Sequence, residues 1–95
     1  MVSSPYVRAV QTAELLAVAI GYQGPIESNS AFTPDSSPAR AAEELLAMVP
    51  GTILVTHEPL VSTVAGILSG SSQPGFSTAE MACIADGSLA WRLRN

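Results

Sequence analysis

Ile53-Leu54-Val55-Thr56-His57-Glu58-Pro59-Leu60 decides the fold. A short β-branched apolar run stops at the only histidine of the chain, and two residues later Pro59 opens a helix. A strand that ends in a polar loop and feeds a helix is where open α/β sheets place their chemistry, at the carboxyl edge of the strands. One other segment has the same form. Val2-Ser3-Ser4-Pro5 precedes a helical pattern that carries Arg8 in its first turn.

Outward from these two segments, the periodicity gives an α/β chain. Ser4 and Pro5 open a helix over residues 7–20, with Ser4 as the expected cap. Val10, Ala13, Leu16, Ala17 and Ile20 form its apolar stripe, Arg8, Gln11 and Glu14 form another, and Gly21 ends it. Residues 22–32 read as loop with at most one short strand near Ile26. Asp35-Ser36-Ser37-Pro38 opens a second helix, whose inward face is Ala41, Ala42, Leu45, Leu46 and Val49, with Arg40, Glu43 and Glu44 outward. Pro50-Gly51 ends it. Residues 52–56 are then expected to be the central strand of a parallel sheet, apolar on both faces. A third helix over 59–68 carries Val61, Val64, Ala65 and Leu68. After a Ser/Gly/Pro loop, strands over 81–85 and 89–93 flank Asp86-Gly87, a strong hairpin signal.

Composition bounds the function. The 95 residues make a single domain, 1–95, and 47% of them are hydrophobic, enough for a packed core. Four basic residues face eight acidic ones, for a net charge of -4. That balance gives no footprint for nucleic acid and no attraction to an anionic membrane. No apolar run approaches the roughly 20 residues of a membrane span, and Met1 to Tyr6 does not resemble a signal peptide. The single Cys83 suits a reducing compartment, so a cytoplasmic location is expected.

Two residues stand out chemically. His57 lies at a strand end, and Arg8 lies where a helix N-terminus offers unpaired N–H groups and partial positive charge. An arginine there adds bidentate recognition of oxyanions. Glu58 reads as a solvated first-turn carboxylate rather than a general acid. Gly75-Phe76-Ser77-Thr78-Ala79 lacks the last glycine and the preceding strand of a nucleophile elbow. The loop over 66–75 lacks the lysine of a P-loop. One histidine and one cysteine far apart make no metal site, and no cofactor is expected.

Ser3-Ser4-Pro5-Tyr6-Val7-Arg8-Ala9-Val10-Gln11-Thr12-Ala13 closely resembles the second-arginine motif of the histidine phosphatase superfamily, Ser-Pro-x-x-Arg-Ala-x-Gln-Thr-Ala. Val55-Thr56-His57-Glu58-Pro59-Leu60-Val61 resembles its second-histidine motif, in the form found in SixA-type phosphohistidine phosphatases. Phe32-Thr33-Pro34 is similar to the Leu-x-Pro before the family's middle helix, and Phe76-Ser77-Thr78-Ala79 and the hairpin also match. The resemblance spans nearly the whole chain, in order. It implies a phosphoglycerate mutase-like three-layer α/β/α sandwich.

The family's Arg-His-Gly, which carries the nucleophilic histidine on the first strand, has no counterpart in this sequence. The resemblance therefore implies the C-terminal part of such a domain, truncated at the N-terminus. By position, Arg8 is the second arginine and His57 the second histidine of the phosphate pocket, and neither is the nucleophile. The implied function is hydrolysis of phosphohistidine on a signalling phosphotransfer protein, through a phosphohistidine intermediate, when the Arg-His-Gly segment is present. The P–N bond breaks readily once protonated, which leaves Glu58 outside the site. The alternatives are a non-catalytic remnant binding phosphate or a phosphoprotein through Arg8 and His57, and a small α/β interaction module. In the family the Arg-His-Gly strand lies between the strand over 52–56 and the hairpin. Without it, self-association through exposed sheet edges is expected.

Overall fold

Three turn signals place the elements of the computed structural model, which describes residues 1–94. Gly21 adopts φ 71° and closes helix α1 (Val7–Ile20), its N–H and that of Tyr22 returning to the carbonyls of Val18 and Ala17. Gly70, at φ 72°, ends helix α3 (Leu60–Ser69) in the same left-handed conformation. Asp86 and Gly87, at φ 52° and 72°, make the two-residue turn between β4 (Met81–Ala85) and β5 (Ser88–Leu93). Helix α2 (Pro38–Leu46) begins with a proline, and the Ser37 hydroxyl accepts the Arg40 N–H.

The result is a small α/β domain of three α-helices and two sheets. The first sheet is parallel, in the order β2-β1-β3, where β1 is Val2–Ser3, β2 is Glu27–Ser28 and β3 is Leu54–Val55. Val2 pairs with Leu54 and Glu27, and Ser3 with Val55 and Ser28. The second sheet is the β4–β5 hairpin, which packs on α3. Its register shifts between Cys83 and Ile84, leaving Ala90 as an extra residue. That bulge explains why Leu89 and Arg92, three apart, are both half-buried while their neighbours are exposed.

The core joins Val2, Phe32, Ala41, Ala42, Leu60 and Val64, with Leu45, Met48, Leu54 and Leu68 packed against it. Phe32 ends a 3-10 turn (Ser30–Phe32), and its carbonyl accepts the Thr56 hydroxyl at 2.6 Å, tying that turn to the end of β3.

The structure departs from several expectations of the sequence. Residues 52–56 do not form the central strand. Ladder bonding is limited by the two-residue β1, so β3 shrinks to Leu54–Val55, and β1 takes the middle of the sheet. β3 is half-buried rather than sealed on both faces, because among the described residues only β1 pairs with it. The buried stripe of α1 is Ala9, Ala13 and Ala17, while Val10 and Leu16 are half-buried and Ile20 is exposed. Small side chains let this helix approach β1 and β3 closely. Leu46 and Val49 do not face the core, since α2 stops at Leu46 and Val49 lies beyond the helical phase. Ser4 does not cap α1, whose N-cap is Tyr6. The third helix starts at Leu60 rather than Pro59.

Candidate functional site

Parallel pairing of β1 with β3 puts both strand ends at the same edge of the sheet. Ser4 N–H donates to the Val55 carbonyl at 2.9 Å, so the loops leaving β1 and β3 start side by side. One loop turns into α1 and brings Arg8 into its first turn. The other carries His57, whose carbonyl accepts the Val61 N–H at 2.9 Å and so anchors the start of α3.

Pro5, Tyr6, Val7, Arg8 and His57 line one open depression of about 550 Å³. Arg8 is exposed, and its guanidinium enters no ion pair among the described residues. The first three N–H groups of α1 have no partner within the helix and open the same region. Together they form a positive, donor-rich corner in a chain of net negative charge. The Tyr6 ring lies beside the His57 ring, centroids 5.3 Å apart and planes at 56°.

His57 Nε2 is 2.9 Å from the Ser4 hydroxyl, and Ser4 is fully buried. The same hydroxyl oxygen accepts the Tyr6 N–H at 3.3 Å. Partial burial lowers the His57 pKa from its ordinary value, which favours a neutral ring at pH 7.

No family model, curated protein or solved structure matches this chain.

Of the residues singled out by sequence, the fold brings Arg8 and His57 to one cavity. It keeps Glu58 out of it. Glu58 is exposed, and its carboxylate accepts the Ser62 N–H at 2.9 Å and the Ser62 hydroxyl at 3.0 Å. Glu58 thus occupies a helix N-terminus as a capping carboxylate, where negative charge is favoured. Phe76 is part of a different construction, lying 4.2 Å under the Arg92 guanidinium. In the sequence Ser4 reads only as a cap, and Tyr6 has no marked role. The available signal was the polar Ser3-Ser4 pair at a strand end that should be apolar.

A second depression, of about 270 Å³, is lined by Ser62, Thr63, Gly66, Ser72 and Gln73 and has no charged side chain. Among the described residues, no group of three or more His, Cys, Asp or Glu side chains is placed to hold a metal ion. No described helix is long and apolar enough to cross a membrane.

Proposed function

We propose that this chain is the phosphate-holding part of a SixA-type histidine phosphatase domain, with Arg8 and His57 gripping the phosphoryl group of a phosphohistidine protein. The observation that carries the reading is that these two residues, far apart in sequence, line one cavity beside a helix N-terminus. Arg8 supplies a fixed positive charge and a planar donor fork to the phosphoryl oxygens. The α1 N–H groups add neutral donors, and His57 adds a ring N–H. In phosphoryl transfer such preorganised donors stabilise the charge that spreads over the transferring oxygens.

Hydrolysis by this route needs an Arg-His-Gly nucleophile, which the sequence does not contain. With that segment supplied, its histidine would take the phosphoryl group and water would release it. The fold proposed with this function is the three-layer phosphoglycerate mutase-like sandwich. The strand order supports it: the crossovers from β1 to β2 and from β2 to β3 run in opposite directions, and with the right-handed sense general for such connections this puts α1 and α2 on opposite faces. A cytoplasmic location, with the Cys83 thiol reduced, and self-association through open strand edges belong to the same reading.

A second reading is favoured by the histidine count. The only histidine has its Nε2 committed to Ser4, so the chain as it stands binds phosphate without turning it over. Two measurements test the site that these readings share. Inorganic phosphate at ten times its Kd should stabilise the protein by about 1.4 kcal/mol, read as a rise in Tm, and Arg8→Ala should remove the rise. An unchanged response in Arg8→Ala would dismiss the site. Incubation with a phosphohistidine-labelled phosphotransfer domain should leave no acid-labile label on this chain alone. Label on His57 would make it a nucleophile and contradict both readings.

A further inference from the structure

The Ser4 hydroxyl is sealed from solvent, so its proton must go to a protein acceptor. Its oxygen already accepts the Tyr6 N–H, and its other neighbour is His57 Nε2 at 2.9 Å. If Nε2 carried the ring proton, the Ser4 oxygen would accept twice and its own proton would be left in a buried place without an acceptor. If Nε2 is bare, every group is matched. Ser4 O–H then donates to Nε2, and the proton of the neutral ring sits on Nδ1. Among the described residues Nδ1 meets no hydrogen-bond partner, and no buried side-chain nitrogen or oxygen is left unpaired. An unbonded Nδ1 on this half-buried ring therefore reaches solvent.

We infer that Ser4 is a positioning residue that locks neutral His57 as its Nδ1–H tautomer and leaves that donor free for the oxyanion held with Arg8. The inference rests on the proposal that the Arg8–His57 cavity takes a phosphoryl group. Its consequence concerns pH. A histidine that binds anions through its charge loses its grip as pH rises past its pKa. A ring fixed with Nδ1–H outward keeps a donor in place after the charge is gone. Ser4 is not a serine nucleophile activated by histidine, because its hydroxyl is fully buried and no substrate carbonyl can reach it.

The single histidine makes the test direct, since ring ¹⁵N signals need no assignment. At about pH 8, above the ordinary histidine range, long-range ¹H–¹⁵N spectra of the wild type should show the Nδ1–H pattern. A ring predominantly in the Nε2–H form overturns the lock. Sulfate, whose charge is constant over this range, serves as the anion probe. Ser4→Ala should lose the pure tautomer and weaken sulfate binding about tenfold at this pH. Ser4→Thr, which keeps the hydroxyl, should restore both. A wild-type ring that is Nδ1–H but indifferent to sulfate would uphold the lock and overturn the anion site beneath it. Sulfate binding with an Nε2–H ring would do the reverse.

Discussion

Glu80 is a carboxylate with an arginine at each oxygen and a backbone donor on one of them. Arg92 Nε meets its Oε2 at 2.6 Å, Arg94 Nε lies 3.5 Å from Oε1, and the Ser77 N–H donates to Oε1 at 2.8 Å. The hydrogen bond from Arg92, then that from Ser77, hold its pKa down to about 2. Arg92 also donates to the Pro74 and Gly75 carbonyls at 3.0 and 3.1 Å while covering Phe76. One guanidinium therefore fastens the 74–80 loop to β5. A carboxylate with a lowered folded pKa contributes stability above its unfolded value, and that contribution is lost as pH falls through the folded one. Urea midpoints should thus decline from about pH 4.5 toward pH 2, and Glu80→Gln should flatten this decline while lowering the midpoint at pH 7. Equal acid slopes in the two proteins would show that Glu80 does not set acid stability. Neither Glu80 nor Ser4 is legible in the sequence as a partnered residue. Arg92 is 12 positions from Glu80, and His57 is 53 from Ser4. Arg8 and His57 are more legible because each sits at a strand–helix boundary, a place that local pattern marks.

At the scale of elements, periodicity locates a helix more securely than it locates the buried face. The sequence of α1 offers Val10, Ala13, Leu16, Ala17 and Ile20 as an apolar stripe, yet only its two alanines are sealed, together with Ala9. Close approach to a sheet selects small side chains, and hydrophobicity alone does not encode that distance. The hairpin is legible because Asp-Gly demands positive φ at both turn positions and nothing distant competes. The two-residue strands are not, since their lengths are set by how far their neighbours extend. The choice of face on α1 has a mutational signature. Ala13 is fully buried, so Ala13→Leu should overpack the contact with the sheet and cost about 1–3 kcal/mol in urea unfolding. Leu15 is 72% exposed, and Leu15→Ala should stay within about 0.5 kcal/mol. The reverse order would mean that α1 packs through the face that carries Leu15.

At the scale of the molecule, the core is thin and one sheet is open. Among the described residues the only large apolar side chains sealed from solvent are Phe32 and Leu60, and the other buried apolar positions are alanine or valine. A chain of this size has little surplus stability to spend on an unpaired edge. Val2 and Ser4 donate to the carbonyls of Ile53 and Val55, so the intervening Leu54 turns its own N–H and C=O to the far side of β3. Those groups find no strand among the described residues, and the hairpin forms a sheet of its own. An edge of this kind recruits another strand, and a second copy of the chain is the partner always present. Self-association should then appear in sedimentation velocity as a mass that rises with concentration. Amide exchange gives the position of the contact. The Val2 N–H, bonded to Ile53 at 2.8 Å, should be protected at every concentration, whereas the Leu54 N–H should gain protection only as the heavier species forms. Concentration-independent exchange at Leu54, together with a monomer that melts cooperatively, would mean that this edge is stable in water by itself. A heavier species that left Leu54 unprotected would move the contact elsewhere, to the exposed Leu15 and Val18 of α1 or to Trp91 and Leu93 of the hairpin.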